Sequence, residues 1–168
     1  MPKEPLPETT FTRSHAEAGN ANAQFGLGIF SAATAPEDYA QALFWYQKAA
    51  DQDHALAQFN LGQMYALGHG MPKNDAMALM WIRRAAAGGD AGAQFELGRR
   101  YARSSVHGTE MDAVESRIEA FKWFSLAAAQ EYRNAGVQCD SAAMRMSRDE
   151  ITEGNRRIRV VQRTENKS

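Results

Sequence analysis

The sequence has few of the features that mark disulfide-stabilised, membrane-spanning or nucleic-acid-binding proteins. It contains a single cysteine, Cys139, which excludes an intrachain disulfide and a metal site of four thiolates. No apolar run approaches the roughly 18 residues that a membrane span requires. The 19 Lys and Arg residues are balanced by 20 Asp and Glu residues, for a net charge of −1. We therefore expect a protein that binds neither nucleic acid nor a membrane.

The N-terminal segment shows no export signal. Residues 1–13 contain three of the five prolines and no apolar stretch, so they do not resemble a secretory signal. We expect a flexible tail over residues 1–13 and a cytoplasmic protein, although a chain from which a signal had been removed would look the same.

Alanine is the abundant residue. Of the 168 residues, 30 are Ala and only 17 are Val, Ile or Thr. Because alanine favours helices and β-branched residues favour strands, this bias predicts an all-α protein.

Two short motifs repeat along the chain. The hexapeptide Ala-Gln-Phe-x-Leu-Gly occurs at residues 23–28, 57–62 and 93–98. The octapeptide Ala-x-x-Trp-x-x-x-Ala alternates with it, at residues 42–49, 78–85 and 120–127. A fourth, degenerate copy of the hexapeptide begins at Ala135.

The spacing within each motif is helical, because residues three, four and seven apart share one face of a helix. Between the two motifs of the second copy lies the turn 68–72, which contains two glycines and a proline. Each unit is therefore a helix, a turn and an antiparallel helix. From each Trp to the next copy of the hexapeptide the distance is always 12 residues, so the joint between units is constant.

The motifs resemble those of the Sel-like repeat (SLR) family, a relative of the tetratricopeptide repeats. The resemblance rests on A-Q-x-x-L-G, G-x-G-x-P-K-N and A-x-x-W-x-x-x-A-A at a period of 34–36 residues, and it covers residues 14–146. It implies a right-handed α-solenoid of antiparallel helix pairs that scaffolds other proteins, commonly in bacteria. The chain departs from the pattern at Asp53-His54, where the neighbouring joints have Gly19-Asn20 and Gly89-Asp90.

The domain organisation follows from the extent of these repeats. We expect about three full repeats, with partial repeats at each end, over residues 14–146. A C-terminal capping helix over 147–163 should cover the last apolar face of the array, and residues 164–168 should form a flexible tail.

The start of the capping helix is predicted by a capping box. Ser147 and Glu150 have the spacing in which each side chain bonds the other's backbone amide. Ile151, Ile158 and Val161 then share an apolar face, with Arg156, Arg157, Arg159 and Arg163 mostly on the other face. The rival interpretation is a free basic helix that binds a membrane or an acidic partner.

No pattern in the sequence predicts catalysis, a metal or a cofactor. The four histidines, which are His15, His54, His69 and His107, lie outside any zinc-binding motif. The glycines at 26 and 28 lack the third glycine of a dinucleotide fingerprint, and no phosphate-binding loop is present. Cys139 occupies the Leu position of a repeat and is interpreted as a small apolar filler. We predict a protein that is not an enzyme; the alternative is a hydrolase with its site in the 104–112 loop, around His107 and Glu110.

The phenylalanines of the hexapeptides form the candidate binding surface. Phe25, Phe59 and Phe95 lie about 200° around each helix from its core stripe, so each is either packed in the array or exposed to a partner. In related repeats the first helix lines the concave face, and the resemblance therefore implies that this row lines a groove. The other predicted contact residues share this face: Asn22, Ile29, Leu56, Gln63, Arg99 and Arg103.

These observations predict a monomeric, non-enzymatic scaffold or adaptor that binds a segment of a partner protein in the groove. Arg99 and Arg103 suit an acidic peptide, since the guanidinium group matches a carboxylate. An inhibitor or immunity protein that holds one partner enzyme is an alternative within the same class.

Overall fold

The computed structural model describes residues 13–34, 39–105 and 110–165, and within them every regular element is a helix. The all-α class predicted from the composition is thereby confirmed. After a short helical segment at 13–17, the described helices are α1 (Ala21–Thr34), α2 (Ala40–Ala50), α3 (Ala55–Leu67), α4 (Asp75–Ala87), α5 (Ala91–Ser104), α6 (Glu110–Ala129), α7 (Ala135–Ala143) and α8 (Arg148–Glu165).

The chain divides into two compact units, unit 1 up to Ala85 and unit 2 from Ala86. In unit 1, α2 packs against both α1 and α3. In unit 2, α6 packs against α5, α7 and α8. The first and third predicted helix pairs are thus α1–α2 and α5–α6, and each is contained in one unit.

The joints that precede the repeats share one backbone conformation. A residue with positive φ ends the preceding helix: Gly19 (97°), Asp53 (60°), Gly89 (86°) and Glu131 (55°). At the first three joints the next side chain caps the following helix, since Asn20, His54 and Asp90 each accept a hydrogen bond from the backbone amide three residues on. The Asp53-His54 departure therefore keeps the geometry of the other joints, with Asp53 accepting a conformation that glycine adopts more readily.

The glutamine of the hexapeptide bridges consecutive helices. Gln24, Gln58 and Gln94 are buried, and each donates through Nε2 to the backbone carbonyl eight residues earlier, at the end of the preceding helix. The acceptors and distances are Ala16 at 3.0 Å, Ala50 at 3.1 Å and Ala86 at 3.3 Å. Because a helix end leaves its last carbonyls without a helical partner, this side chain satisfies one of them in the core.

The tryptophans of the second motif fill the core in the first two repeats. Trp45 and Trp81 are buried between alanines that are fully enclosed. Trp123 differs, because its ring is only half-buried and its Nε1 donates to Glu119 at 3.0 Å. Trp45 and Trp81 therefore fill the core between their flanking alanines, whereas Trp123 lies at the edge of the core.

The last glycine of each hexapeptide permits close helix packing. A Cβ added to Gly28 would lie 2.5 Å from the Tyr46 ring, and one added to Gly98 would lie 2.6 Å from the Phe124 ring. At Gly26, two residues earlier in the same helix, an added Cβ would meet no atom within 4 Å.

The two glycines of α1 should respond to alanine in opposite ways. Gly28→Ala should destabilise unit 1 by about 1–3 kcal/mol because the methyl group overlaps Tyr46. Gly26→Ala should raise the free energy of unfolding by about 0.5–1 kcal/mol, because alanine favours the helix and meets nothing. Urea unfolding of both variants measures this; equal effects of the two substitutions would disprove the close contact.

The C-terminal helix begins with the predicted capping box. The Ser147 amide donates to Glu150 Oε2, and the Glu150 amide donates to Ser147 Oγ at 3.3 Å. Burial opposes ionisation of this carboxyl, but the Ser147 amide and the Arg117 guanidinium together hold the pKa of Glu150 below its usual value. The capping box thus also fixes α8 to α6 through Arg117.

Helix α8 packs along α6. Gly154 is buried, and a Cβ there would lie 2.7 Å from the Phe121 ring, so the glycine that weakens the helix permits its close contact with α6. The sequence predicts that Arg157 lies on the solvent side of α8 with the neighbouring arginines. The structure instead pairs it with Glu119 at 2.8 Å and with Glu115, both on α6. This position of Arg157 corrects the sequence prediction and adds charged links to the apolar packing.

Candidate protein-binding surfaces

The predicted contact residues of unit 1 form what we call the α1–α3 surface. Ile29 and Leu56 expose 46% and 49% of their area, Asn22 is exposed, and Gln63 is half-buried. Phe25 and Phe59 are half-buried. They are thus neither fully packed in the array nor fully exposed to a partner, the two alternatives that the sequence leaves open. The surface therefore has exposed aliphatic and amide side chains over a partly enclosed aromatic layer.

Phe25 is held in place by aromatic neighbours. Its ring stacks on the His54 ring with centroids 4.6 Å apart, and it lies 5.9 Å from the Tyr46 ring. His54 Nε2 is 3.1 Å from Asn22 Oδ1, and His54 Nδ1 accepts the Ala57 amide. Since Nδ1 accepts, Nε2 carries the proton and donates to Asn22, so the start of α3 is connected to α1.

This arrangement requires a neutral His54 and should depend on pH. Burial lowers the pKa of the His54 imidazole, so the unfolded chain binds a proton more readily than the folded chain. The contribution of neutral His54 to the free energy of unfolding should be fully present above the unfolded pKa of about 6.5. It should decline as the pH falls through this value towards the lower folded pKa. Urea unfolding at several pH values between 7.5 and 5.5 measures how the free energy of unfolding depends on pH.

His54→Asn is the matched variant, because asparagine caps the equivalent helix at Asn20 and does not titrate. We expect a lower overall stability, since the ring stacking is lost, but a flatter dependence on pH. The same slope in the variant and the wild type would contradict the role of His54.

The predicted contact residues of unit 2 lie on α5 and form what we call the α5 surface. Phe95 is half-buried against Phe124 and Tyr132, with centroids 5.6 Å and 5.7 Å away. Arg99 is exposed but pairs with Glu96 at 3.2 Å, and Glu96 also pairs with Arg100. Arg103 is exposed and has no ion pair with any residue that the structure describes. Glu96 thus partly neutralises the basic cluster formed by Arg99 and Arg100, whereas no described carboxylate pairs with Arg103.

Sequence reasoning did not single out several exposed apolar side chains. Phe30 and Phe44 are about half exposed in unit 1. Val137 of α7 exposes 66% of its area, and Met144, which follows the last residue of α7, exposes 86%. Val137 occupies the phenylalanine position of the degenerate fourth copy, and this alignment is the one signal that could have drawn attention to α7.

The described residues bear on two kinds of catalytic chemistry, metal binding and a reactive thiol. Within the described ranges no group of three or more His, Cys, Asp and Glu side chains could hold a metal ion. Burial raises the pKa of the Cys139 thiol, which lies 3.1 Å from Ser125 Oγ, so the thiol stays protonated as expected of a packing residue. His107 and the side chain of Glu110, which define the alternative hydrolase site, lie outside the described residues.

Comparison with known proteins decides the family. The model of the Sel1 repeat matches residues 21–54, 55–90 and 91–132. The chain belongs to the Sel1 repeat family. These Sel1 repeats begin with the capped helices α1, α3 and α5, and their boundaries coincide with the joints at His54 and Asp90. No curated protein matches the chain.

Solved structures give the same fold for the Sel1 repeats. A protective antigen present in uropathogenic Escherichia coli strains, described as displaying an SLR fold, is 27% identical with a TM-score of 0.74 over 93% of this chain. A Sel1 repeat protein from Oxalobacter formigenes is 28% identical with a TM-score of 0.66, over 81% of this chain and 99% of its own. The chain spans about a third of the E. coli antigen (33%). The predicted α-solenoid class is confirmed.

None of the described helices is long and apolar enough to cross a lipid bilayer.

Proposed function

We propose that this Sel1 repeat protein is a non-enzymatic adaptor that binds a segment of a partner protein on the first helices of its repeats. Sel1 repeats generally act as scaffolds for protein–protein interaction. We further propose that the protein is bacterial and acts as a monomer in the cytoplasm, for which sedimentation of the purified chain and fractionation of cells are the tests.

The observation that carries the proposal is the α1–α3 surface. Ile29 and Leu56 are half exposed, whereas Phe25 is fixed by its contacts with His54 and Tyr46. Exposed apolar side chains on a rigid base are favourable for binding, because little conformational entropy is lost when a partner covers them. Large aromatic residues with partly enclosed rings are also the common energetic centres of protein interfaces.

The α5 surface would contribute a charged contact of its own. Equivalent positions of the three first helices hold Ile29, Gln63 and Arg99, so this position is apolar in the first repeat, polar in the second and basic in the third. Arg103, which the described residues leave unpaired, would favour a partner with an acidic group.

Partner retention tests the proposal. The wild-type chain, immobilised in a lysate of its source organism, should retain a protein that Phe59→Ala and Arg99→Glu retain at least about tenfold less. Met80→Ala is the control, since Met80 is similarly exposed (44%) but lies on the second helix of its repeat. If both variants melt like the wild type and hold the same protein equally well, the proposed surfaces are wrong.

A further inference from the structure

A small basic cavity lies in unit 2, and none of the predicted contact residues lines it. It has a volume of about 170 Å³ and is formed by α5, α6 and α7, with Ser105 at the end of α5. Its polar lining consists of Ser105, Arg117, Gln138, Ser141 and Arg145, and its apolar lining consists of Ala102, Ala120, Phe124 and Ala142. No acidic side chain is among these lining residues. Since ligand pockets for whole small molecules usually measure 300–1,000 Å³, the volume suits a single side chain.

Arg117 is positioned in this cavity by a buried carboxylate. Glu150 is buried and accepts from both Nε and Nη2 of Arg117 through Oε1. These bonds use one edge of the guanidinium and leave Nη1 without a described partner. Arg117 is therefore held in one orientation before any ligand arrives, which lowers the entropic cost of binding.

The other polar side chains of the cavity have free hydrogen-bonding groups that a ligand could use. Arg145 is exposed and makes no ion pair with any residue in the described ranges. Gln138 and Ser141 are three residues apart and therefore lie on the same face of α7. Their side chains likewise have no hydrogen bond to the described residues. Glu150 balances the charge of Arg117, so the unbalanced charge of Arg145 makes the cavity attractive to one negative group.

The exposed side of α7 indicates what carries that group. Val137 and Met144 are the most exposed large apolar residues of the described chain, and they lie four and three residues from Ser141. Val137 lies one turn before Ser141 on α7, so the two side chains are neighbours on the helix surface. Met144 caps the end of this helix and precedes Arg145 directly in sequence. A polypeptide can place a carboxylate in the cavity and cover both apolar side chains with its neighbouring residues, whereas a free inorganic anion cannot.

We propose that the cavity formed by Arg117, Ser141 and Arg145 receives an Asp or Glu side chain from a segment of the partner protein, with apolar residues of that segment lying on Val137 and Met144. The inference rests on the proposed adaptor function and assigns the acidic contact to α6 and α7, beside the α5 surface. Glu150 acts as a positioning residue, because it orients Arg117 without touching the ligand.

The test is an NMR titration of the full chain with acetyl-Leu-Glu-Leu-amide. The backbone amide signal of Ser141, a lining residue that both arginine variants below retain, should shift saturably, with a Kd on the order of 1 mM, as one short contact permits. Acetyl-Leu-Gln-Leu-amide should bind at least about tenfold more weakly, because the charge-assisted hydrogen bonds are lost. Inorganic phosphate should bind more weakly than the Glu peptide, since it cannot cover the apolar side chains.

Two arginine variants identify the site. Arg145→Gln should lose the binding of the Glu peptide. Arg148→Gln should keep it, because Arg148 is also exposed but does not line the cavity. The proposal is overturned if the peptide causes no saturable shift, if both variants bind alike, if the Gln peptide binds as tightly as the Glu peptide, or if phosphate binds more tightly than either.

The experiments distinguish a failure of the cavity proposal from a failure of the proposed adaptor function. Loss of partner retention by Phe59→Ala together with full retention by Arg145→Gln would overturn the cavity and leave the adaptor function in place. Equal retention by Phe59→Ala, Arg99→Glu and wild type would overturn the first-helix surfaces, and the peptide titration would still decide the cavity.

Discussion

Trp81→Ala is expected to lower the free energy of unfolding of unit 1 by about 3–5 kcal/mol, the range for removing a large aromatic side chain from a core. The ring is buried and packs in a cluster with Tyr46, Leu61 and Met64. The fully enclosed alanines around it cannot move to fill the space, because they lie on helices that are already in contact. Chemical unfolding monitored by circular dichroism measures the loss.

A second substitution separates the ring volume from its polar atom. Trp81 Nε1 is buried and has no hydrogen-bond partner among the residues that the structure describes, so Trp81→Phe removes an unsatisfied donor while it keeps much of the packing. We expect Trp81→Phe to cost much less than Trp81→Ala. Leu67→Ala, at an exposed position on α3, should change stability by less than about 0.5 kcal/mol. A cost near zero for Trp81→Ala would mean that the repeated Trp motif does not form the core.

Truncation after Met146 is expected to destabilise unit 2 strongly. Removal of α8 uncovers Phe121, whose burial contributes about 1.5–3 kcal/mol, and takes away Glu150 and its bonds to Arg117. The charged links from Arg157 to Glu115 and Glu119 disappear as well. The truncated chain should melt at a clearly lower temperature than the full chain, or aggregate through the uncovered face of α6.

Gly154→Val in the full chain reproduces part of this effect without removing any charge. The valine would overlap the Phe121 ring, so the variant should also melt at a lower temperature. Gly136→Val, at a helical glycine with open space around it, is the control. An unchanged melting curve of the truncated chain would support the rival interpretation of α8 as a free basic helix.

The repeats and their joints could be predicted because they are local in sequence. The interval from Trp81 to Ala93 fixes where one helix ends and the next begins, and the capping box of Ser147 and Glu150 involves residues three apart. Such features depend on backbone geometry that a few neighbouring residues determine. The confirmed helix pairs and the start of α8 are predictions of this kind.

The remaining features depend on contacts between distant residues. Gln58 was part of a recognised motif, but nothing in its neighbours shows that its amide reaches the Ala50 carbonyl in the core. Arg157 belongs to a basic run and was placed in solvent, because its partners on α6 are about 40 residues away in sequence. The half-buried state of Phe25 likewise depends on His54 and Tyr46, which other helices bring to it.

Site-specific photo-crosslinking tests the central claim most directly. p-Benzoylphenylalanine would replace Leu56 on the first helix of its repeat, or Met80 on the second helix, two apolar positions of unit 1 with similar exposure. Irradiation in cells of the source organism should give a crosslinked partner protein from position 56 and not from position 80. An equal yield at both positions, or an adduct from position 80 alone, would contradict binding through the first helices.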